Sequence, residues 1–230
     1  MKKLVIIPAY NEQNNLINVI NDLKMNAPDF DYVIINDGST DETMTLCAEN
    51  SLNVINLPVN LGIGACVQTG YKYALKKGYK IAVQFDGDGQ HKAEYLGKMY
   101  KEMIETDSDM VIGSRYLYKN GFQSTVFRRM GIKILSKLIK VLYKQEIKDV
   151  TSGLRMVNKR LVTEFSNYYP YDYPEPETVA FCMRKKFKIT EVAVTMRARN
   201  EGKSSINKIQ SIYYMVKVSF SIIIDYFKKT

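Results

Sequence analysis

The chain has 230 residues, of which 46% are apolar and 11% aromatic, and it carries a formal charge of +9. This size and composition exclude an intrinsically disordered protein and predict one domain, or one domain with an appendage. The three cysteines are far apart and form no CxxC pair, so we expect a reducing compartment and neither a disulfide framework nor a zinc site. Since His91 is the single histidine, carboxylates are the expected ligands of any metal ion.

The charge is distributed unevenly along the chain. Residues 1–114 carry a net charge of −5, whereas residues 115–160 carry +10 and residues 184–230 carry +8. Such a basic second half indicates an anionic partner, which could be nucleic acid, a phosphorylated ligand or an acidic membrane surface, although solvated surface lysines would give the same composition. Nucleic acid is disfavoured, because the aromatic residues are not interleaved with the basic ones and no nucleic-acid-binding motif occurs.

Segments typical of strands and helices alternate through the first half of the chain. Short apolar runs predict buried strands at 4–7, 32–35, 53–57, 81–85 and 110–112. Amphipathic spacing predicts helices at 11–24, around 44–47, at 62–77 and around 95–104. This alternation predicts an α/β domain with a mostly parallel sheet flanked by helices.

Polar clusters follow three of the predicted strands directly, at residues 8–12, 36–39 and 86–90. Ligands of such sheets bind beyond the carboxyl ends of the strands. Asp86 and Asp88, separated by one glycine, can turn toward one hard cation, and Mg²⁺ or Mn²⁺ binds through one or two carboxylates plus substrate phosphates. A solvated β-turn is the alternative. Asp37 offers a carboxylate to a ribose or a base, and Tyr10 and Glu12 could close the other side of a nucleoside.

The glycines of residues 60–64 allow close approach of the backbone to a ligand. The segment lacks the GxGxxG spacing of dinucleotide-binding folds and the Gly-Lys-Ser/Thr of a P-loop, so neither of those sites is predicted.

Taken together, these motifs resemble the family 2 glycosyltransferases, which have the GT-A fold. The matching segments cover most of the chain in the family's order: PAYNE (8–12), NDGSTDET (36–43), NLGIGACVQTGY (60–71), DGDGQH (86–91), GSR (113–115), TSGLR (151–155) and RNEGKSS (199–205). Within the family, the chain is similar to the polyprenyl-phosphate glycosyltransferases. These include dolichyl-phosphate mannose synthases and the bacterial enzymes that load glucose or N-acetylglucosamine onto undecaprenyl phosphate.

The resemblance implies roles for individual residues. It implies a nucleotide-sugar site formed by Pro8, Tyr10, Glu12, Asp37, Gly62, Asp86, Gly87, Arg199 and Lys203. It implies that Mg²⁺ or Mn²⁺ is held by Asp86, Asp88 and Gln90, and that catalysis involves Asp88, Arg115 and Glu177. Arg129 is a further catalytic candidate, as a cation that would hold an acceptor phosphate. Two departures stand out: Asn36 replaces the family's usual aspartate, and Lys203 is displaced by two positions from the family's lysine.

The identity of the nucleophile decides whether a general base is needed. A sugar hydroxyl requires one, usually Asp or Glu, and the acidic stretch 172–177 offers Glu175 and Glu177. These carboxylates could instead orient the sugar or the acceptor loop. A phosphate monoester, with a second pKa of about 6, is already an anion at neutral pH. It needs cationic positioning, for which Arg115, Arg128 and Arg129 are candidates.

Two basic segments, 124–144 and 208–228, have amphipathic spacing. The predicted apolar face of the first comprises Phe127, Ile134, Leu135, Leu138, Ile139 and Leu142, opposite Arg129, Lys133, Lys137, Lys140 and Lys144. The predicted apolar face of the second comprises Ile209, Ile212, Val216, Phe220, Ile223 and Phe227. Basic helices of this kind favour a membrane interface over a membrane span. Packing against the catalytic core or a second subunit is the alternative.

The sequence therefore predicts a metal-dependent inverting glycosyltransferase. We expect transfer of glucose or N-acetylglucosamine from a UDP-sugar to undecaprenyl phosphate by a peripheral enzyme at the cytoplasmic face of the membrane. Residues 1–205 would form the catalytic domain, with 124–144 inserted, and residues 206–230 a membrane-interface or oligomerisation helix. A small membrane-protein anchor and a homo-oligomer are possible partners. The alternatives are transfer to a sugar hydroxyl of a lipid-linked glycan and a non-catalytic nucleotide-sugar-binding subunit.

Overall fold

The computed structural model describes residues 1–118, 126–197 and 208–228, without the side chains of 126–128 and 208–212. In chain order these residues form β1 (Lys3–Ala9), α1 (Leu16–Asn26), β2 (Asp31–Asn36), α2 (Thr43–Glu49), β3 (Val54–Asn56), α3 (Ile63–Lys76), β4 (Ile81–Gln84), α4 (Tyr95–Thr106), β5 (Met110–Ser114), α5 (Val126–Tyr143), β6 (Arg155–Asn158), α6 (Lys159–Asn167), α7 (Pro174–Arg184), β7 (Ile189–Ala193) and α8 (Lys208–Phe227).

The strands form one sheet in the order β3-β2-β1-β4-β6-β5-β7. Within it β6 runs antiparallel to both of its neighbours, β4 and β5, while the other pairs are parallel. The predicted α/β class with a mostly parallel sheet is confirmed. All five predicted strands are present, each within two residues of its expected bounds.

The first helix begins later than its apolar spacing predicts, at Leu16 rather than residue 11. Asn11 has a left-handed backbone conformation (φ 57°), and its amide donates to Ser39 Oγ. The amide of Glu12 donates to Thr43 Oγ1. Residues 11 and 12 are therefore bound to the segment after β2, and the regular helix begins only beyond them.

The sheet separates two hydrophobic cores. Along β1 the side chains alternate, so that Leu4 and Ile6 belong to one core while Val5 and Ile7 belong to the other. The first core is covered by α3 and α5–α8, and the second by α1, α2 and α4. This layering leaves the ends of the strands accessible at the two edges of the sheet.

The motif-bearing loops meet at one of those edges. Strands β2, β1 and β4 are adjacent and parallel, so the loops that follow them lie side by side. Because β6 is antiparallel, it is the segment before it, residues 149–154, that reaches the same edge.

Helix α5 corrects the predicted apolar face of segment 124–144. Ile132, Leu135 and Ile139 are buried in the core that also contains residues of α7 and α8. Ile134, predicted to share a face with Leu135, is instead 53% exposed, as are Met130 and Val141 to similar extents. The most apolar side of this helix is used within the protein, and its outer side mixes lysines with three apolar residues.

Among the described residues, nothing covers one apolar face of helix α8. Val218 and Ile222 are buried on its inner side. On the outer side lie the exposed residues that we call the α8 apolar face: Tyr213, Val216, Phe220, Ile224 and Phe227. Of the six residues predicted for this face, three are exposed on it, at 216, 220 and 227. Ile223 is half-buried, and the side chains of 209 and 212 lie outside the described residues. The domain division at residue 205 stays a prediction.

Within residues 1–118, 126–197 and 208–228, none of the helices combines the length and the apolar character needed to cross a bilayer.

The burial pattern of α5 can be tested by a matched pair of substitutions. Leu135→Ala removes a fully buried side chain and is expected to lower the free energy of unfolding by about 2–5 kcal/mol. Ile134→Ala, one residue away, is expected to cost less than about 1 kcal/mol. Urea unfolding followed by circular dichroism measures both values, and equal losses would contradict the assigned orientation of the helix.

Candidate active site

Asp37, directly after β2, is held by backbone amides on both of its carboxylate oxygens. Leu61 N donates to Oδ1 at 2.8 Å and Gly62 N donates to Oδ2 at 2.9 Å. The amide of Asp37 in turn donates to Ala9 O at the end of β1. The carboxylate is almost fully buried. Each oxygen has a second lone pair that a ligand hydroxyl or N–H group could use.

The other residues predicted to hold a nucleoside lie on the segment after β1. Tyr10 is exposed, and Glu12 is half-buried, with Asn15 Nδ2 donating to its Oε2 at 2.8 Å. Pro8 is buried within β1, and its carbonyl accepts a hydrogen bond from Gly87 N at 3.3 Å. Pro8 and Gly87 therefore join the loops after β1 and β4, and Tyr10 directly follows Ala9, whose carbonyl accepts from the amide of Asp37.

Asn36, the first departure from the family pattern, has a structural role that uses both the donor and the acceptor of its amide. Its Nδ2 donates to Asn56 Oδ1 on β3 at 2.6 Å, and its Oδ1 accepts from Ser39 Oγ. A carboxylate could accept both bonds but could not donate one. The substitution thus links β2, β3 and the turn that carries Asp37.

Asp86 lies half-buried at the end of β4, with both oxygens hydrogen-bonded. His91 Nε2 is 3.1 Å from Oδ2, and Gln84 Nε2 donates to Oδ1 at 3.4 Å. Burial raises the pKa of Asp86. The interactions with His91, Gln84 and Arg115 outweigh burial, and they hold the pKa of Asp86 below its usual range. The site therefore favours the ionised carboxylate.

Two further contacts shape the loop that contains Asp86. Gln90 N donates to Asp88 Oδ1 at 3.0 Å, which holds residues 88–90 in a tight turn. On the other side, Gly153 lies so close that a Cβ atom there would be 2.5 Å from Asp86 Oδ2. Glycine is therefore required at 153 in the TSGLR motif to make room for the carboxylate.

The donor set fits a divalent metal that shares its coordination with a substrate. In the described parts of the chain, no group of three or more His, Cys, Asp or Glu side chains could hold a metal ion unaided. Asp86 and Asp88 nonetheless provide two hard oxygen ligands in one short loop. This is the arrangement that Mg²⁺ and Mn²⁺ use when phosphate oxygens complete the coordination shell.

Gly64, in the glycine-containing segment 60–64, has a role in packing. A Cβ atom at Gly64 would lie 2.3 Å from Pro170 O and 2.4 Å from Tyr171 O. The small size of this residue is thus needed where α3 packs against residues 170–171, and the approach of a ligand to residues 60–64 stays a prediction. Gly62 acts through its amide, on Asp37.

Arg115, predicted to meet phosphate, is paired with a carboxylate that the sequence analysis did not single out. Its Nε and Nη2 donate to Asp149 Oδ2 and Oδ1, each at 2.7 Å, and its backbone amide donates to Oδ2 at 3.0 Å. Burial lowers the pKa of Arg115, but Asp149 outweighs burial and raises it. Asp149 is itself fixed, since its amide donates to Glu191 Oε1. The one sequence signal was its position two residues before the TSGLR motif.

The two glutamates of segment 172–177 have different surroundings. Glu175 is close enough to Asp86, Arg155 and Gln84 to interact electrostatically with them. Burial raises its pKa, the charge of Asp86 adds to the rise, and Arg155 opposes it. Glu177 instead interacts with Ser221 on α8, and burial raises its pKa as well. Of the two glutamates, Glu175 is the one whose charge interacts with Asp86, and the predicted catalytic role of Glu177 stays a prediction.

A buried polar layer forms the floor of the site. Arg155, fully buried, donates to Ser152 O, Val150 O and Thr178 Oγ1 at 2.5–2.9 Å. Its register partner on β4, Gln84, accepts from Tyr169 OH at 3.2 Å. The arginine of the TSGLR motif therefore supports the loop before β6 from within the protein.

Three of the predicted cationic residues, Arg128, Arg199 and Lys203, have side chains outside the described residues. Arg199 and Lys203 lie outside the described residues, so their roles stay predictions. Arg129 is half-buried near the start of α5, and its assignment to an acceptor phosphate also stays a prediction. The side chain of Arg128 lies outside the described residues.

Comparison with known proteins identifies the family of the chain. Residues 4–165 match the protein family Glycosyl transferase family 2. The chain belongs to this family. It is an enzyme that transfers a sugar, and the predicted family resemblance is confirmed.

Two curated relatives have names that refer to lipid phosphates. The polyprenol monophosphomannose synthase of Mycolicibacterium smegmatis is 26% identical over 95% of this glycosyltransferase and 86% of the relative. The UDP-N-acetylglucosamine–dolichyl-phosphate N-acetylglucosaminyltransferase of Methanococcus voltae is 29% identical over 93% and 88% of the two chains.

Among solved structures, glucosyl-3-phosphoglycerate synthase from Mycobacterium tuberculosis has a similar fold. Its complex with Mn²⁺, UDP-glucose and phosphoglyceric acid superposes with a TM-score of 0.72 at 16% identity, over 100% of this chain and 81% of that one. The likeness confirms the GT-A fold of the glycosyltransferase.

The pairing of Arg115 with Asp149 predicts the effect of removing the charge of Asp149. Asp149→Asn keeps the shape of the side chain but replaces one carboxylate oxygen with an NH2 group, which cannot accept the hydrogen bond of the arginine N–H that it faces. We therefore expect kcat/KM to fall about 10- to 100-fold. Asp109→Asn is the matched control, because Asp109 is also buried and paired with an arginine, Arg160, but precedes β5 at the opposite edge of the sheet. It is expected to lower stability and leave kcat/KM within about twofold. A similar loss of activity in both variants would contradict a specific role for Asp149.

Proposed function

We propose that this glycosyltransferase moves glucose or N-acetylglucosamine from a UDP-sugar to a polyprenyl phosphate, undecaprenyl phosphate in the first instance, with inversion at the sugar. The observation that carries the proposal is the joining of the Asp37 loop and the Asp86–Asp88 loop at adjacent strand ends. Asp37 N donates to Ala9 O, and Gly87 N donates to Pro8 O. Strand β1 therefore connects Asp37, which would bind the nucleoside, with Asp86 and Asp88, which would bind the diphosphate.

The donor is assigned from these residues and from the related proteins. Asp37, Tyr10 and Glu12 would contact the nucleoside, and the names of a curated relative and of a structural neighbour include UDP-sugars. Mannose also appears in the name of a relative, so GDP-mannose belongs in any donor screen.

Asp86 and Asp88, with Gln90, would hold Mg²⁺ or Mn²⁺ together with the diphosphate of the donor. The ion would neutralise the charge that develops on the leaving diphosphate. The protein's part is to keep Asp86 ionised and to fix it against Gln84, His91 and Gly153.

A phosphate acceptor agrees with the electrostatics of the site. The acceptor is an anion at neutral pH, so it needs a cation to position it rather than a base. Arg115 is charged and close enough to Asp86 for their charges to interact, and Asp149 orients it. Transfer to a sugar hydroxyl is the second candidate, and the place of Glu175 beside Asp86 favours that residue as its base.

The α8 apolar face supports a membrane surface as the location of the acceptor. Lys217 of α8 pairs with Asp172 at 2.5 Å, and Tyr214 packs on Tyr173 with ring centroids 4.7 Å apart. Both contacts lie just before Glu175, so the exposed face begins near the site. The flanking lysines, with those on the outer side of α5, suit an anionic leaflet, each contributing about 1 kcal/mol.

We place the enzyme at the cytoplasmic face of the membrane, as a peripheral protein. A small membrane-protein anchor and self-association remain part of the proposal as possible partners for the same region of the surface.

A donor and acceptor screen tests the function directly. The purified chain is incubated with radiolabelled UDP-glucose, UDP-N-acetylglucosamine or GDP-mannose, with Mn²⁺ and undecaprenyl phosphate, and label is extracted into organic solvent. We expect extractable label with a UDP-sugar and at least about a 100-fold loss in Asp88→Ala. Asp31→Ala, an exposed aspartate at the opposite edge of the sheet, is the control. No extractable label with any donor would overturn the proposal, and label only with hydroxyl acceptors would favour the second candidate.

Membrane docking is tested by sedimentation with vesicles that contain anionic lipid. Burying one large apolar side chain is worth about 1.5–3 kcal/mol, so Phe220→Ser should weaken vesicle binding about tenfold or more. Ile104→Ser is the control, because Ile104 is similarly exposed but lies on α4, on the other side of the sheet. Unchanged sedimentation of Phe220→Ser would contradict docking through α8. If the unchanged chain instead forms a concentration-dependent dimer that this variant loses, a second copy of the chain covers the α8 apolar face.

A further inference from the structure

One carboxylate on α1 joins three separate segments of the chain. Asp22 Oδ2 accepts a hydrogen bond from Ala93 N at 3.0 Å and another from Arg197 Nη1 at 3.1 Å. Ala93 lies five residues beyond Asp88, and Arg197 follows β7. Asn26 Nδ2 holds the other oxygen, Oδ1, at 2.7 Å.

Arg197 also contacts the segment that follows Asp88 in two further places. Its backbone amide donates to Gln90 O at 2.9 Å, and its Nη1 donates to His91 O at 3.3 Å. The guanidinium and the main chain of one residue thus bind two consecutive carbonyl groups. These bonds determine where the peptide groups of residues 90 and 91 lie.

Those peptide groups are connected to both carboxylates of the proposed metal site. Gln90 N donates to Asp88 Oδ1, and His91 Nε2 meets Asp86 Oδ2. The His91 ring is buried and packs edge-on against Phe85, with centroids 5.4 Å apart. A shift of the backbone at 90–91 would therefore move the hydrogen-bonding partners of Asp86 and Asp88 together.

The Asp22–Arg197 pair is suited to positioning more than to stabilising the fold. The side chain of Arg197 is 43% exposed, and ion pairs that reach solvent contribute little net stability. Asp22, by contrast, is nearly buried. Burial raises its pKa, but the hydrogen bonds from Ala93, Arg197 and Asn26 outweigh burial and lower it.

We propose that Asp22 and Arg197 are positioning residues that hold Gln90 and His91, and through them Asp88 and Asp86, in the arrangement that binds a divalent metal with the donor diphosphate. This inference rests on the proposed function, since it assigns two further residues to the same site. Neither residue touches the metal or the donor. Groups that orient metal ligands in this way typically change metal affinity 10- to 100-fold when they are altered.

The test measures metal binding rather than turnover. Mn²⁺ is titrated into the full chain in the presence of saturating UDP, and binding is followed by calorimetry or by the electron paramagnetic resonance of free Mn²⁺. We expect Asp22→Asn and Arg197→Gln each to weaken Mn²⁺ binding about tenfold. The Mn²⁺ affinity of the double variant should lie within about threefold of that of either single variant, because the two residues act as one unit. Arg197→Lys keeps the charge and should remain within about threefold of the unchanged chain.

Arg160→Gln provides the matched control, because Arg160 forms an exposed pair with a nearly buried aspartate, Asp109, at the opposite edge of the sheet. Its Mn²⁺ affinity should stay within about twofold. If Asp22→Asn and Arg197→Gln also bind Mn²⁺ within twofold of the unchanged chain, the inference is overturned, even where thermal unfolding shows lower stability. If the unchanged chain binds no Mn²⁺ with UDP, both the metal-dependent function and the inference fail.

Discussion

The site depends on the adjacency of three parallel strands whose carboxyl ends meet at one edge of the sheet. Because β2, β1 and β4 are neighbours, the loops that follow them can bond to one another through their backbones, as Asp37 does to Ala9 and Gly87 does to Pro8. The antiparallel β6 then brings residues 149–154 to the same edge, with Gly153 against Asp86. No single loop contains the site, and the sheet order assembles it.

The charged residues at this edge are restrained before any ligand arrives. Asp37 accepts two backbone amides, Asp86 lies between His91 and Gln84, and Arg115 is held by Asp149 through three hydrogen bonds. Charges that are already oriented need little reorganisation when a charged substrate reacts, which is the main source of electrostatic catalysis. The Asp22–Arg197 pair extends this restraint to the backbone of the loop that contains Asp86 and Asp88.

The two basic helices show how similar patterns acquire different surroundings. Leu135 and Ile139 of α5 are buried in the protein core, whereas Phe220 and Ile224 of α8 remain uncovered. Both helices have an apolar side and lysines, and the difference lies in which neighbours cover that side. Helix α8 contacts Asp172 and Tyr173, just before Glu175, so its exposed apolar face lies close to the site.

The sequence by itself determined the family, the α/β class, the five strands of the first half and the position of Asp37, Asp86 and Asp88 shortly after two of these strands, because these depend on local apolar runs and on short motifs. Only the tertiary structure decided which glutamate lies beside Asp86, that Asp149 holds Arg115, that Gly64 serves packing, and which side of α5 is buried. Each of these depends on a partner distant in the chain, and helical periodicity reports that a face is apolar without reporting what covers it.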